Sequence, residues 1–496
     1  MAPDTPLNVV AVVKLAASLR GQRRVTCRIV GAPLYGSFNK VVMVAFDDGP
    51  TWAFRTPRHD GAGQSLPPEV LGDLIGSEVA TLNFLARHSA LPVPRVIDHS
   101  CTSSNAVGVP YILMTCAPGK SFSERLRRLE GAGMKKLSHV TRKVMGRLGE
   151  LCFDLSNLRF DKIGSIQERD GLVGLNQVLS PAFMLQDRHR IAMYRGPFAT
   201  DQDYYRALAE AFLGQVQDLS MSHHLFCSPC PELAAYPDAE SYRIVVDLWS
   251  DFVTVDDKID SGENRIQYHT AGKLVQDVIP QLCASQSTGF PIGHADLKSS
   301  NIFVDEDCNI TCIINWKYSS TMPLGQLLIA PGLADRQGQP SAEDRAAFRI
   351  GFEAAALGPI PRSPVSWILT DVLWHYLRWT HLDTYDDYRH FAALFSLHPE
   401  FAARDPLRLI EELQARSDIR EARQHLAAGE CEPSDIKSNE DLYFESCDDG
   451  ERRRRVAEKL TERFRSKPQV FGVDFWMKAL AEDFGDYYEQ YPGCRS

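Results

Sequence analysis

The chain has 496 residues, of which 44% are hydrophobic and 24% are charged, and its formal net charge is -10. A chain of this length is too long for one ordinary compact core, so we expect two lobes or domains. The acidic balance argues against general nucleic-acid binding, which requires a basic surface. No apolar run approaches about 18 residues, so we expect neither a membrane span nor a membrane partner.

The cysteines and the N-terminal segment indicate an intracellular protein. Twelve cysteines in a chain this long do not form the disulfide framework of a small secreted protein. The apolar stretch LNVVAVVKLAASL follows Asp4 rather than a basic cluster and is interrupted by Lys14. This pattern favours a short amphipathic helix over a signal peptide. We therefore predict a cytoplasmic location.

One pair of cysteines has the ligand types of a zinc site. Cys227 and Cys230 lie beside His223 and His224 in the stretch HHLFCSPC. Adjacent histidines point apart on a helix or strand, and no second CxxC is present. We therefore favour a polar loop that carries two cysteines, with zinc as the alternative.

Residues 24–118 have the composition of a small antiparallel sheet with one helix. Five segments rich in β-branched and aromatic residues predict strands: RVTCRIV, KVVMVAF, TWAFRTP, LPVPRVIDHS and VPYILMTCAPG. Between the third and fourth segments, residues 67–88 carry apolar side chains at helical spacing. Pro67 and Pro68 suit the start of that helix.

After Gly119 the pattern becomes mainly helical. The exceptions are a loop-rich segment at roughly 160–200, in which DGLVGLNQV is hairpin-like, and residues 293–320, which predict two short strands joined by the turn DEDCN. The polar stretch GECEPSDIKSNEDLYFESCDDG predicts a loop or linker. The segment ERRRRVAEKLTERF that follows predicts a helix whose glutamates dilute the four arginines, so we expect a solvated face there.

The stretch HADLKSSN supplies the side chains that phosphoryl transfer requires. That reaction needs a residue to orient or deprotonate the acceptor hydroxyl, oxygen ligands for magnesium, and cations near the β- and γ-phosphates. A loop can hold Asp296 at the acceptor and bend so that Asn301 reaches the metal. Lys298 can then reach the transferring phosphate.

HADLKSSN resembles the catalytic loop of protein kinases and aminoglycoside phosphotransferases. Over roughly residues 25–330 the chain resembles the aminoglycoside phosphotransferase and choline kinase family, most of all its large fungal group. The resemblance implies an α+β, bilobal protein-kinase-like fold, with a small antiparallel-sheet N-terminal lobe and a larger, mostly helical C-terminal lobe. It also implies ATP and Mg²⁺ as cofactors, Asp296 as catalytic base, Asn301 as a magnesium ligand and His294 as support for the loop.

The same resemblance assigns nucleotide-binding residues in the N-terminal lobe. GAPLYGSFNKVV resembles the loop that covers the phosphates, through Gly31 and Gly36. Arg55 stands where kinases place the strand lysine that holds the α- and β-phosphates. Glu78 matches the helix glutamate that pairs with this cation, so we expect Arg55 and Glu78 within salt-bridge reach.

The stretch YILMTCAPG resembles the hinge that contacts adenine. This assignment brings Met114 and Cys116 to the nucleotide, through backbone groups of residues 115–117. The resemblance thus predicts three parts of the chain: a nucleotide-binding lobe (1–118), a helical lobe with the catalytic loop and an acceptor-site insert near 160–215 (119–430), and a C-terminal helical extension (431–496).

The chain departs from the family pattern at one point in the site. The pattern IIDWE, whose aspartate binds magnesium, is replaced by IINWK, so that Asn315 stands in place of the carboxylate. An amide is a weaker magnesium ligand than a carboxylate because Mg²⁺ prefers anionic oxygen. Lys317 either points inward, where it would replace part of the charge of the metal, or faces solvent, which we expect.

Three interpretations of function follow from this departure. The first is an ATP-dependent phosphotransferase that acts on an unidentified small-molecule hydroxyl and has a degenerate metal site. The second is a pseudokinase that keeps the fold for regulation or partner binding, and the third is an enzyme repurposed for other chemistry on a small metabolite. Retention of Asp296, Lys298 and Asn301 favours catalysis, whereas Asn315 and Lys317 favour the alternatives, and we expect the first.

Overall fold

The computed structural model describes these residues of the chain: 7–21, 25–58, 66–131, 137–221, 224–227, 231, 235–236, 238–259, 261–283, 289–333, 339–356, 364–383, 386–398, 400–428, 432–466 and 475–479. By its internal contacts the chain divides into two compact units. The first comprises Met1–Ala207 and Leu282–Trp374, and the second comprises Leu208–Gln281 and His375–Ser496. The boundaries near residues 118 and 430 remain a prediction from the sequence.

A five-stranded antiparallel sheet forms the N-terminal part of the first unit, as predicted. Its strands are β1 (Cys27–Tyr35), β2 (Asn39–Phe46), β3 (Thr51–Pro57), β4 (Val96–Ser100) and β5 (Tyr111–Thr115). Their order across the sheet is β1-β2-β3-β5-β4. Alternate residues of β2 and β3 are buried, for example Val42, Val44, Trp52 and Phe54, which is the period of two expected when one face of a strand packs into a core.

Two helices cover the opposite faces of this sheet. Helix α1 (Val9–Arg20) packs Val12 and Ala16 into the cluster that contains Phe54. Helix α2 (Pro68–His88) begins with a proline in its first turn and packs Ile75 against Met114 on the other face. The apolar spacing of residues 67–88 therefore gave the helix correctly.

The remaining elements are mainly helical. In chain order they are β6 (Lys120–Ser121), α3 (Phe122–Gly131), α4 (Ser138–Ser156), β7 (Arg159–Phe160), β8 (Ser165–Arg169), β9 (Leu172–Asn176), α5 (Pro181–Met184), α6 (Asp201–Asp218), α7 (Ala239–Thr254), α8 (Gly262–Leu282), β10 (Phe290–Gly293), β11 (Ile302–Val304), β12 (Ile310–Ile313), β13 (Ser320–Thr321), α9 (Leu324–Leu327), α10 (Ala342–Ala355), α11 (Pro364–His381), α12 (Asp387–Phe395), α13 (Pro406–Leu413), α14 (Ser417–Ala428), α15 (Pro433–Glu445) and α16 (Gly450–Ser466). Among the described residues, no helix is both long enough and apolar enough to cross a bilayer.

Two short sheets position the loop that carries HADLKSSN. Strand β10 lies between β7 and β13, and β11 lies between β6 and β12. The loop runs from the end of β10 to the start of β11, and the turn after β11 is held by Asp305, whose Oδ1 accepts hydrogen bonds from the backbone N–H of Asn309 (2.8 Å) and Asp307 (3.0 Å). The predicted strand–turn–strand segment is therefore present.

Helices α4 and α10 pack closely against each other and share a buried cluster with these short sheets. A Cβ atom at Gly149 would lie 2.0 Å from the carbonyl oxygen of Phe348, and one at Gly351 would lie 1.9 Å from that of Gly146. Such distances exclude any side chain, so these glycines permit the helices to approach at backbone distance. Leu148 and Phe348 of the two helices lie in the same buried cluster as Ile302 of β11.

The C-terminal segments of the second unit differ from the prediction in two respects. The polar stretch expected to be a loop forms helix α15. Helix α16 is present as predicted, but its arginines are not simply solvated, because Arg453 donates to both oxygens of the buried Asp251 at 2.8 and 2.7 Å. Val456 and Leu460 of α16 pack into a cluster with residues of α7. The apolar face of α16 and the ion pair of Arg453 with Asp251 therefore both hold α16 against α7.

Candidate functional site

Arg55 of β3 and Glu78 of α2 form a bidentate ion pair. Arg55 Nη1 donates to Glu78 Oε1 at 2.8 Å, and Arg55 Nη2 contacts Glu78 Oε2. Only 2% of the Glu78 side chain and 12% of the Arg55 side chain are exposed. Because Arg55 lies in the middle of a central strand and Glu78 in the buried face of α2, sheet and helix packing together fix the pair. A buried, parallel pair of this kind holds both side chains in one orientation.

His294 ties the loop to the segment that follows β12. Its Nδ1 accepts a hydrogen bond from the backbone N–H of Asp296 (3.0 Å), and its Nε2 lies 2.9 Å from the carbonyl oxygen of Ile314. The first contact requires an unprotonated Nδ1 and the second a protonated Nε2, so the ring is neutral. Burial lowers the pKa of His294, which agrees with this tautomer. The ring also packs edge-on against Trp316 at 4.8 Å.

Three side-chain nitrogens surround one carboxylate oxygen of Asp296. Oδ2 of Asp296 lies 3.0 Å from Lys298 Nζ, 3.0 Å from Asn301 Nδ2 and 3.3 Å from Asn315 Nδ2. Asn301 also donates to the backbone carbonyl of Asp296 at 2.7 Å. The loop thus brings together Asp296, Lys298 and Asn301, and the segment after β12 adds Asn315. The Asp296 side chain remains 40% exposed, so a ligand can reach it.

Asn315 lies in a backbone conformation that suits its side chain. Its φ is 66°, in the left-handed region that asparagine adopts more readily than most residues. The next residue, Trp316, is buried and donates from Nε1 to the carbonyl oxygen of Ile313 at 2.9 Å. The turn that aims Asn315 at Asp296 is therefore fixed by a neighbouring indole.

These residues do not fit a resident magnesium ion. Mg²⁺ requires octahedral oxygen coordination, in which one or two carboxylates join phosphate oxygens and water. Here a single carboxylate, that of Asp296, faces the nitrogens of Asn301, Asn315 and Lys298, and the ammonium stands at hydrogen-bond distance from it. Among the described residues, no group of three His, Cys, Asp or Glu side chains is placed to hold a metal. The geometry therefore does not favour the predicted metal-ligand roles of Asn301 and Asn315.

Lys317 points inward, and the expectation that it faces solvent is wrong. It is 7% exposed, and its ammonium lies 4.9 Å from the ring centre of Phe38 and 4.7 Å from that of Tyr318. Lys317 lines a small cavity together with Arg55 and Glu78. Burial, reinforced by Arg55, lowers the pKa of Lys317 to about 8. This orientation could not be predicted from the sequence, because one lysine after an apolar strand can point either inward or toward solvent.

The hairpin between β1 and β2 has the geometry expected of a loop that covers a ligand. Gly31 has a φ of 71° at the irregularity that separates Val30 from Leu34. Gly36 is held through both backbone groups, since its N–H donates to Asn39 (2.9 Å) and its carbonyl accepts from Arg58 Nη1 (2.9 Å). The backbone N–H groups of residues 37 and 38 at the tip have no hydrogen-bond partner within the described part of the chain.

Within the predicted hinge, the backbone N–H groups differ in whether they are available to a ligand. The backbone N–H of Cys116 donates to the carbonyl of Thr51 at 3.2 Å and is not available to a ligand. The Met114 side chain is buried against α2. By contrast, the backbone N–H of Ala117 has no partner among the described residues. Ala117 is therefore the better donor of the predicted range 115–117.

Sequence reasoning missed two aromatic residues in the site. Phe38 follows Gly36 by two positions, and its ring meets that of Tyr318 edge-on at 6.1 Å. The Tyr318 hydroxyl is buried and has no hydrogen-bond partner in the described residues. Phe38 was recognisable as the aromatic residue at the tip of a glycine-containing hairpin. Nothing in the sequence pointed to Tyr318.

The candidate zinc motif cannot be assembled from the described residues. Cys230 and His223 lie outside them. Of the other two, His224 contacts Asp387 Oδ2 at 2.9 Å through Nδ1, and burial raises the pKa of the Cys227 thiol to about 12. Two of the four predicted ligands lie outside the described residues, so the choice between a polar loop and a zinc site stays a prediction from the sequence.

No family model matches the chain. It is 31% identical over 146 residues to a subtelomeric hrmA-associated cluster protein of Aspergillus fumigatus, a match that covers 29% of this chain and 25% of that protein. It is 25% identical over 209 residues to altered inheritance of mitochondria protein 9, mitochondrial, of Clavispora lusitaniae, which is 37% of this chain and 33% of that protein. The matched stretches thus cover a third or less of the length of these relatives.

Solved structures of small-molecule phosphotransferases align with most of the chain at TM-scores below 0.4. A macrolide 2'-phosphotransferase from Brachybacterium faecium aligns with a TM-score of 0.35 and 14% identity, over 85% of this chain and 99% of that one. An aminoglycoside phosphotransferase APH(4)-Ia gives 0.38 and 12%, over 79% and 100%. Plasmodium vivax ethanolamine kinase gives 0.35 and 12%, over 87% and 89%. APH(4)-Ia is also solved with ADP and hygromycin B and with AMP-PNP and hygromycin B.

The predicted fold class is confirmed by the elements that the structure describes. The five-stranded antiparallel sheet, the pairing of a β3 cation with an α2 glutamate and the strand–loop–strand segment are the parts expected of a protein-kinase-like α+β structure.

The predicted cytoplasmic location is wrong by the same comparisons. Four relatives, from Clavispora lusitaniae, Candida tropicalis, Scheffersomyces stipitis and Candida glabrata, carry mitochondrial names. They point to mitochondria rather than to the cytoplasm.

Proposed function

We propose that the chain is a nucleotide-dependent phosphotransferase that transfers a phosphoryl group to a hydroxyl of a small molecule. The observation that carries the proposal is the environment of Asp296. Its carboxylate is half-exposed, is fixed by the amides of Asn301 and Asn315, and has the ammonium of Lys298 at 3.0 Å. An oriented base beside a cation is the pairing that transfer to a hydroxyl requires.

In the proposed reaction Asp296 receives the proton of the acceptor hydroxyl. The hydroxyl oxygen bonds to the terminal phosphorus of the nucleotide as the bond from that phosphorus to the bridging oxygen breaks. A nucleoside diphosphate leaves, and the phosphorylated acceptor remains. Lys298, which is 46% exposed, is free to turn from Asp296 toward the negative charge of the transferring group.

The N-terminal sheet supplies the groups that would hold the nucleotide. Arg55 has five N–H donors and uses two of them on Glu78, which leaves three for phosphate oxygens. The backbone N–H groups at 37 and 38 are available above the phosphates, and that of Ala117 is available to adenine. The small-molecule acceptor would lie beside Asp296, and the segment 160–215 remains the predicted wall of its pocket.

A second candidate function rests on the poor fit of magnesium. With one carboxylate and a lysine where the metal would lie, the fold would serve nucleotide binding that regulates a partner, as in a pseudokinase. Binding without turnover distinguishes this alternative from a phosphotransferase.

The test is ADP release from ATP across a panel of small-molecule hydroxyl acceptors. Asp296→Asn keeps the volume of the side chain and removes the base, so we expect a loss of 100-fold or more (~10²–10⁴ for general-base catalysis). Asp161→Asn, at an exposed position of the first unit, is the matched control and should keep full activity. Nucleotide binding with no turnover in wild type, and no difference between the two variants, would favour the pseudokinase.

The names of the matched relatives support a mitochondrial location for this chain. Cell fractionation with a C-terminal epitope tag tests this part of the proposal. Recovery of the tagged chain with a cytosolic marker and not with a matrix marker would contradict it.

A further inference from the structure

Lys317 is a buried cation with aromatic rings on two sides. Phe38, at the tip of the β1–β2 hairpin, and Tyr318 place their ring centres 4.9 and 4.7 Å from its ammonium. Aromatic faces attract a cation, and the attraction grows when water is excluded. The rings therefore hold the ammonium in place, but they do not accept its protons as oxygen atoms would.

The ammonium of Lys317 lacks a hydrogen-bond acceptor. Within the described residues no acceptor atom lies at hydrogen-bond distance from its Nζ, and the neighbouring Tyr318 hydroxyl is also unpartnered. Lys317 is more than nine-tenths buried. Buried polar groups are almost always paired, so two adjacent unpaired donors indicate that a ligand with acceptor oxygens completes the site.

The charges around this point favour an anion without any metal. Arg55, Glu78 and Lys317 line one cavity, and Glu78 is already paired with Arg55. On the catalytic loop Asp296 is paired with Lys298. The remaining positive charge belongs to Lys317, which follows Asn315, the predicted metal ligand, by two residues in the chain.

We propose that Lys317 contacts the phosphates of the bound nucleotide and supplies positive charge in place of a divalent cation. The site then takes a nucleoside triphosphate in the absence of magnesium. Phosphate oxygens would accept from the Lys317 ammonium and the Tyr318 hydroxyl, and the ring of Phe38 would move off the ammonium as the hairpin closes over the ligand. This inference rests on the proposed nucleotide site but not on the transfer reaction.

The experiment is equilibrium binding of a fluorescent ATP analogue in EDTA and in excess magnesium. Wild type should bind in EDTA, and magnesium should change its affinity by less than 3-fold. Lys317→Met keeps the aliphatic stem between the rings but removes the charge, so binding in EDTA should weaken 10-fold or more. Lys317→Arg should retain affinity within about 3-fold, since it restores a cation that donates to phosphate.

Two controls distinguish a specific effect of Lys317 from a general loss of charge and from misfolding. Lys120→Met removes one exposed lysine of the first unit and should bind as wild type does. Thermal unfolding of each variant verifies that it is folded. Two results would overturn the role of Lys317 without affecting the proposed nucleotide site. In the first, wild type binds the ATP analogue only with magnesium; in the second, Lys317→Met binds it as tightly as wild type does.

Two further outcomes separate this inference from the proposed function. No nucleotide binding by any folded variant in either condition would overturn both. Binding that depends on Lys317, without ADP release on any acceptor, would sustain the role of Lys317 and contradict the phosphotransferase.

Discussion

The amide nitrogen of Asn315 donates to the carboxylate of Asp296 across 3.3 Å. The two side chains come from different segments, the turn after β12 and the loop after β10, so this contact joins both halves of the candidate catalytic site. It also defines what the asparagine does in the absence of a metal. Asn315 donates a hydrogen bond to Asp296 at a position where a second carboxylate would repel it.

Asn315→Asp should make the site depend on magnesium. Two carboxylates about 3.3 Å apart repel each other unless a proton or a cation lies between them, and with magnesium they become a ligand pair. In EDTA we expect the unfolding midpoint to fall by about 2 °C, the shift for a loss of about 1 kcal/mol in a unit of this size. Magnesium should restore it. Asn315→Ala is the control, and equal midpoints for Asn315→Asp with and without magnesium would contradict the prediction.

Glu78→Ala should destabilise the first unit strongly. The substitution leaves the Arg55 guanidinium, which is 12% exposed, without its carboxylate. Removal of one partner from a buried ion pair costs about 3–5 kcal/mol, because the remaining charge stays desolvated. Urea unfolding measures the change, and Glu69→Ala, at an exposed position in the first turn of the same helix, should alter stability by less than about 0.5 kcal/mol. Similar values for both variants would mean that the pair is not held in solution.

The arginine-rich helix α16 should respond unequally to loss of its arginines. Arg453 donates twice to Asp251, which is 2% exposed and also accepts from the Tyr443 hydroxyl at 2.9 Å. Arg453→Met should therefore lower the free energy of unfolding of the second unit by about 3 kcal/mol. Arg455→Met removes only an exposed pair with Glu451 and should cost less than about 0.5 kcal/mol. If the two variants lower the thermal unfolding midpoint equally, the ion pair of Arg453 with Asp251 does not stabilise the second unit.

Acid should destabilise the second unit through His269. Burial, reinforced by Lys273 and opposed by Asp418, lowers the pKa of His269 to about 4, below the ordinary value near 6.5. Above pH 6.5 the ring is neutral in the folded and the unfolded chain. Between pH 6.5 and 4 the unfolded chain binds a proton that the folded chain does not, so the free energy of unfolding falls with pH, by on the order of 3 kcal/mol in total.

His269→Gln removes this titration and should flatten the decline in the unfolding midpoint between pH 6.5 and 4. His425→Gln is the matched control, because His425 is 68% exposed. If the control and His269→Gln lose stability equally with falling pH, other groups account for acid unfolding.

Much of the first unit was determined by local sequence pattern. Alternation of apolar residues in KVVMVAF and TWAFRTP is enough to specify strands with one buried face, and the apolar spacing of residues 67–88 is enough to specify α2. The motif HADLKSSN likewise keeps its main geometry within eight residues. His294 binds the backbone of Asp296, and Asn301 returns to the same residue. These contacts are local to the motif, but only the support of the loop by His294 was predicted, since Asn301 was expected to bind a metal.

The tertiary structure alone decided which charges are buried. Lys317 is turned inward because Phe38 packs over it, and Phe38 belongs to a hairpin that comes much earlier in the chain. The backbone N–H of Cys116 donates to the carbonyl of Thr51 and is therefore not available to a ligand. Arg453 turns toward the protein interior because it donates to the buried carboxylate of Asp251. The physical reason is the same in each case. The cost of burying a polar group is set by partners distant in the chain, and neither composition nor periodicity identifies those partners.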